Sequence, residues 1–119
     1  AAAAGLLSLE GARSRGTPAA STALAGLMEG VVTSGTGKRA SVPGIRIGGK
    51  TGTAEVPGAA PHAWFIGFGP VAPDVDDPQI AIAVVVESGG DAGEAATGGT
   101  VAAPIAQLVF AEFFGIGQE

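Results

Sequence analysis

The chain has 119 residues, a net charge of −5, 46 % apolar residues and no cysteine; that length suits one domain or a piece of one and excludes two, since domains most often hold roughly 100–150 residues. Alanine supplies 24 of the 55 apolar residues, so only 31 fill volume and the core is small. The absence of cysteine and the single histidine, His62, exclude disulfides, thiol catalysis and Cys- or His-rich metal centres, six scattered basic residues give no nucleic-acid footprint, and the longest apolar run, Ile80 to Val86, falls far short of the roughly 20 residues that span a bilayer.

Residues 1–17 show no sustained period and read as a lead-in or linker. Glu10 and Arg13 come too early, and no basic segment precedes the leucines, for a signal peptide. Residues 18–119 carry the periodic patterns. Leu24, Leu27, Met28 and Val31 fall at i, i+3, i+4 and i+7, with Thr17 placed as N-cap and Pro18 at the first helical position. A helix over about 18–34 follows, stopped by Gly35. Gly26 and Gly30 each cost about 1 kcal/mol in a helix interior, which predicts close approach of another element.

Beyond Val42-Pro43-Gly44, Ile45 and Ile47 alternate with Arg46 and predict a strand over about 45–54. A second strand, about 63–69, is bounded by Pro57, Gly58 and Pro61 before and by Pro70 and Pro73 after. The third, about 79–87, is β-branched and apolar on both faces, as in a strand buried within layers. Short connections between them suggest an antiparallel meander. Ser88 to Gly99 is rich in Gly, Ala and acid and reads as a mobile connection.

A last helix, about 100–114, tolerates Pro104 because it lies in the first turn. Val101, Ile105, Leu108, Val109, Phe110, Phe113 and Phe114 cover nearly every direction around it. A helix apolar all round is normally buried on all sides. Three strands and one further helix cannot wrap it, so the chain is expected to be part of a larger fold or to bury this helix against another copy.

Two chemical readings compete for one motif. Gly44 to Thr51 satisfies the phosphate-loop pattern of Gly, four residues, then Gly-Lys-Thr. That loop needs a buried strand before its first glycine and a helix beginning at its lysine. Here Ser41-Val42-Pro43 precedes, and the alternation of Ile45 and Ile47 puts Lys50 on a strand instead. Nucleotide binding is therefore disfavoured. The same residues also read as Lys50-Thr51-Gly52-Thr53, the Lys-Thr-Gly element of serine enzymes that act on penicillins. On an edge strand beside a cleft, Lys50 supplies positive charge, Thr51 and Thr53 supply hydroxyl donors, and Gly52 lets a ligand approach without a Cβ in the way. By itself the tetrapeptide fits an ordinary solvated edge strand better.

Its surroundings add specificity. Met28 to Thr36, Gly48 to Glu55, His62 to Pro70, Ile80 to Glu87 and Ala103-Pro104, in that order and spacing, resemble the carboxy-terminal part of the transpeptidase domain of penicillin-binding proteins, with the monofunctional class B enzymes nearest. The resemblance covers about residues 20–115. It implies an α+β fold, the C-terminal part of the penicillin-binding transpeptidase or serine β-lactamase-like fold, with three antiparallel strands, a preceding helix and a C-terminal helix packed on the sheet. It implies a peptidoglycan D,D-transpeptidase in which a serine of Ser-x-x-Lys attacks a stem peptide ending in D-Ala-D-Ala. An acyl-enzyme forms there, and β-lactam antibiotics trap the same serine.

In that scheme Lys50 contributes positive potential and orients the hydroxyl of a Ser-x-Asn element. Thr51 and Thr53 hold the substrate or antibiotic carboxylate across Gly52, and the Thr53 backbone N–H is an oxyanion donor. No cofactor and no metal is implied, and no nucleic-acid partner. The implied location is the extracytoplasmic face of the bacterial cytoplasmic membrane, anchored by an upstream segment.

The sequence departs from the family pattern in one respect. Its two lysines are preceded at the required spacing by Gly35 and Ile47, not serine, and it has no asparagine. Neither Ser-x-x-Lys nor Ser-x-Asn lies within it, so the segment alone is expected to be inactive and to need the preceding part of the domain or another copy of the chain. A D,D-carboxypeptidase, a serine β-lactamase and a noncatalytic interaction module of the same fold are the alternatives. Elsewhere, Trp64 reads as core packing, His62 as a strand-edge residue without a chemical task, Glu55 as solvated, and the acids Asp74, Asp76 and Asp77 as a turn rather than a calcium loop.

Overall fold

A computed structural model describes residues 2–6, 18–71 and 78–117. In chain order its regular elements are β1 (Ala2–Leu6), α1 (Pro18–Thr33), β2 (Gly48–Val56), β3 (Ala59–Gly69), β4 (Ile80–Val86) and α2 (Ala103–Phe113). The strands form one antiparallel sheet in the order β1-β4-β3-β2. The α+β layout and the β2-β3-β4 meander agree with the sequence reading. The acids Asp74, Asp76 and Asp77 lie outside the described residues.

The sheet has a fourth strand that sequence periodicity does not reveal. Ala2–Leu6, within the segment read as a lead-in, pairs antiparallel with β4, from Ala2 opposite Val86 to Leu6 opposite Ile82. The run Ala-Ala-Ala-Gly-Leu has no alternation to signal a strand. Pairing is a backbone property, and β4 would otherwise expose a row of unpaired N–H and C=O groups.

Along β3 and β4 the alternation is strict. Ala63, Phe65, Gly67 and Gly69 face Val86, Val84, Ile82 and Ile80 on the buried side. Both helices cover this face. On α2 the buried residues are Ala103, Ala106 and Ala111, whose small side chains let the helix lie close to the sheet, and Phe110, which fills the core between them. The opposite side of α2 is open, with Leu108 at 54 % exposure. As expected, the described residues do not wrap that helix on all sides. The second face of β4, expected to be buried, is likewise only half-covered at Ala81, Ala83 and Val85.

The helix stripe read from the sequence is met only in part, with Met28 and Val31 half-buried. Leu24 and Leu27 are exposed, and α1 becomes buried only toward its C-terminal half, where Val32 enters the core. The helix packs against β2, and its N-terminal half is the more exposed. Nothing among the described residues comes within 4 Å of a Cβ placed on Gly26 or Gly30, so the close approach inferred for them is absent.

Strand boundaries shift for local reasons. Val42 to Ile45 closes a tight turn with Gly44 at φ 80°, and Arg46 O accepts the Val71 N–H at 2.8 Å, which delays β2 to Gly48. Pro57-Gly58 makes a two-residue hairpin with Gly58 at φ 73°, so β3 begins at Ala59. Pro61 is tolerated because it falls at the register shift opposite Ala54/Val56 and before pairing with β4 begins at Ala63.

The Ser88–Gly99 connection is more ordered than its composition suggests. Glu87–Ala95 forms tight helical turns interrupted at Ser88, Gly89, Gly90 and Gly93, all at positive φ. Ser88, the one non-glycine residue there with positive φ, donates its N–H to His62 Nδ1 at 2.8 Å. That contact offsets part of a left-handed cost of about 1 kcal/mol. It also gives His62 a structural task and puts the proton of its neutral imidazole on Nε2.

The glycines separate two opposite stability effects. A Cβ on Gly49 would meet the Phe65 ring and lie 2.9 Å from Ile66 O, so Gly49→Ala is expected to destabilise by about 1–3 kcal/mol. Gly26→Ala meets no neighbour and should stabilise by up to about 1 kcal/mol. Chemical denaturation of the two variants against the parent checks both signs.

Candidate functional site

Among the described residues β2 pairs on one side only, so its other side is the free edge of the sheet. Lys50, Thr51, Gly52 and Thr53 occupy the middle of that edge, opposite Ile66, Phe65, Trp64 and Ala63. The strand alternation divides them. Thr51 and Thr53 share the helix-covered face with Phe65 and Ala63, while Lys50 and Gly52 share the outer face with Ile66 and Trp64. Trp64 and Ile66 are 41 % and 47 % exposed, so the sequence reading of Trp64 as core is not met within the described residues.

The strand lies close against its neighbours because glycines make room. A Cβ on Gly49 or Gly67 would strike the Phe65 ring, and one on Gly48 would strike the ring of Phe68. Gly52 differs, since a Cβ there would meet only Trp64 Cβ at 3.6 Å, an ordinary contact. Packing within the described residues does not require glycine at 52, and the space beside it is open to a ligand.

A second segment reaches the same strand from the helix side. The turn Gly98–Ala102 is capped by Thr97, whose hydroxyl accepts the Thr100 N–H at 3.1 Å while Thr100 Oγ1 accepts the Thr97 N–H at 3.0 Å. Gly98 sits directly on the backbone of Gly52, where a Cβ would come within 2.7 Å of Gly52 O. Arg39 Nη1 ties the turn to the segment before β2 by donating to Thr100 O at 3.3 Å.

Two threonine hydroxyls meet on the helix-covered side of this edge, and the Lys50 ammonium bonds to the strand backbone beside them. Thr51 Oγ1 and Thr36 Oγ1 are 2.6 Å apart, a full hydrogen bond between the strand and the Ser34-Gly35-Thr36-Gly37 turn. Lys50 Nζ donates to Thr51 O at 2.6 Å. Lys50 and Thr53 are exposed and Thr51 half-buried. The cluster therefore offers one cation and several hydroxyl donors on an open edge, which suits a small anionic group. Thr36 was not among the sequence candidates; the signal for it was a threonine set between two glycines in a turn, which carries no chemistry until the turn is placed beside β2.

The phosphate-loop alternative fails on geometry. Lys50 lies inside a strand that continues to Val56, so there is no helix N-terminus at the lysine to receive phosphate. No group of three metal-ligating side chains occurs among the described residues, and no helix among them is long and apolar enough to cross a membrane. Glu55 is exposed at the end of β2.

The start of β2 is held to α1 by charge. Arg46 donates to Glu29 from Nε to Oε2 at 2.6 Å and from Nη2 to Oε1 at 2.8 Å, a two-pronged contact. The hydrogen bonds from Arg46 hold the Glu29 carboxyl below its usual value of 4.5, against a smaller opposing effect of burial.

Comparison with known proteins matches this segment to a larger domain. Residues 15–111 match the family model described as the penicillin binding protein transpeptidase domain. The peptidoglycan D,D-transpeptidase PbpA of Mycolicibacterium smegmatis is 44 % identical over 80 residues, 64 % of this chain and 15 % of that protein. The stage V sporulation protein D of Bacillus subtilis is 43 % identical over 84 residues, 66 % of this chain and 12 % of that protein. Among solved structures, a ceftriaxone acyl-enzyme complex of penicillin-binding protein A from M. tuberculosis superposes with a TM-score of 0.72 at 38 % identity, covering 83 % of this chain and 22 % of that one. This chain thus spans about an eighth to a seventh of the length of these curated relatives.

The ion pair sets an acid limit on the site's anchoring. Because the native Glu29 carboxyl is more acidic than an unfolded one, its contribution is present above the ordinary value of 4.5 and is lost as pH falls through the lowered native value. Glu29→Gln is expected to cost up to about 1 kcal/mol at neutral pH, the upper range for a solvent-accessible pair. The gap between parent and variant should close as the pH drops below the carboxylate range, as read from denaturation midpoints at a series of pH values.

Proposed function

This chain belongs to the penicillin-binding protein transpeptidase family, and on that premise we propose that it supplies the Lys-Thr-Gly edge strand of a peptidoglycan D,D-transpeptidase that works outside the cytoplasm. One observation carries the reading: Lys50-Thr51-Gly52-Thr53 lies on a sheet edge left unpaired among the described residues, in a chain whose family includes enzymes caught as β-lactam acyl-enzymes. The substrate is a stem peptide ending in D-Ala-D-Ala, and β-lactams occupy the same cleft.

The roles follow from the chemistry of each group. Substrate and antibiotic both present a carboxylate, and the Thr51 and Thr53 hydroxyls donate to it while Lys50 supplies a positive field. Gly52 leaves the edge clear for the substrate backbone to lie alongside. Thr51 and Thr53 are two residues apart, so their backbone groups point the same way. The Thr53 backbone N–H serves as an oxyanion donor, a contact worth about 3 kcal/mol in acyl transfer.

The nucleophile comes from outside these residues, because neither lysine is preceded at the required spacing by serine. In the reaction the external serine attacks the carbonyl between the two D-alanines, the terminal D-alanine leaves, and an amine from a neighbouring stem peptide resolves the acyl-enzyme.

Two measurements test this. A fluorescent penicillin should leave the isolated 119-residue chain unlabelled, and a covalent band at its mass would refute the assignment of the nucleophile. In the complete domain, Lys50→Ala should slow acylation by roughly 100-fold, as loss of a preorganised electrostatic contact does; an unchanged rate would remove Lys50 from the site.

A further inference from the structure

We propose that Thr36 is a positioning residue for the carboxylate subsite, holding the Thr51 hydroxyl so that its proton points to the ligand; this rests on the carboxylate role given to Thr51 above. A threonine hydroxyl has one proton and two lone pairs. When Thr51 donates its proton to an anion, its oxygen is left as an acceptor, and Thr36 Oγ1 stands 2.6 Å away to fill that place. The resulting order, Thr36 O–H to Thr51 O–H to carboxylate, strengthens each bond by polarising the next.

The backbone around Thr36 is fixed as this role requires. On one side, the N–H groups of Gly35 and Gly37 both donate to Val31 O, at 3.1 and 2.9 Å, closing the end of α1. On the other, Gly99 lies so close to the Thr36 carbonyl that a Cβ there would collide with it. Gly37 is buried, and a Cβ on it would press on Val31 Cγ1 and the Phe65 ring at 3.1 and 3.4 Å. Thr36 itself remains exposed. An exposed hydroxyl can bond to water at little cost, so a short bond to another side chain in a doubly clamped turn has more to do with aiming a proton than with stability.

The test uses the complete domain and reads acylation efficiency with a penicillin bearing its free carboxylate against the same compound as a methyl ester. Thr36→Val should lower efficiency roughly ten-fold with the carboxylate, the loss expected for a weakened bond to a charged group, and change the ester by no more than about two-fold. Thr36→Ser, which keeps the hydroxyl, should restore the parent ratio. In a Thr51→Val background, Thr36→Val should add nothing. Thr36→Ala serves the same comparison should the valine variant not fold.

An equal loss on both ligands, no loss with the carboxylate, or additive losses in the double variant would overturn the role of Thr36. If Thr51→Val by itself leaves the carboxylate-to-ester ratio unchanged, the carboxylate assignment of Thr51 fails instead, and the two failures are told apart.

Discussion

The ring of Phe65 organises this structure. It is fully buried on the helix-covered face of β3, in space that exists only because Gly49 and Gly67 have no side chains. The same ring lies 3.4 Å from where a Cβ on Gly37 would sit, so it borders both strands of the β2-β3 hairpin and the turn that carries Thr36. Interiors are packed like organic crystals and yield little to added volume. A single aromatic residue thereby sets the separation between the turn and Thr51, which lies directly opposite Phe65 in the sheet.

Glycine performs a second close fit on the same strand. Gly98 rests on the peptide of Gly52, and Gly99 rests against the carbonyl of Thr36. The Thr97–Thr100 cap holds that turn in shape without help from the sheet. The Lys-Thr-Gly strand is thus braced from the helix side by backbone contact, while its outer face and free edge carry no such covering among the described residues. Rigid support behind and open access in front is the arrangement that preorganised electrostatic stabilisation needs.

Much of this is legible in the amino-acid sequence. The antiparallel order follows from the short Pro- and Gly-bounded connections, β4 from the apolar run at Ile80 to Val86, α1 from its period and Pro18, and α2 from its apolar run with Pro104 in the first turn. The orientation of α1 was not legible. Its stripe of Leu24, Leu27 and Met28 is a true amphipathic signal, yet periodicity says only that a face is apolar and not which neighbour covers it. Gly26 and Gly30 misled for the same reason, since a small residue permits close approach without requiring it. The first strand was hidden because its pairing uses backbone groups that every sequence has. The connection after β4 was misread because composition is blind to a specific bond such as Ser88 N–H to His62 Nδ1.

The sequence by itself determined the chemistry on offer: the Lys50 to Thr53 tetrapeptide, the strand that bears it, and the absence of serine three residues before either lysine. It could do so because residue type and spacing are local properties. Only the tertiary structure decided that this strand is a free edge, that Gly98 lies on Gly52, and that Thr36 meets Thr51 from fifteen residues away. Those relations depend on Phe65 and its surrounding glycines bringing separate segments into contact, a constraint of packing that no window along the chain contains.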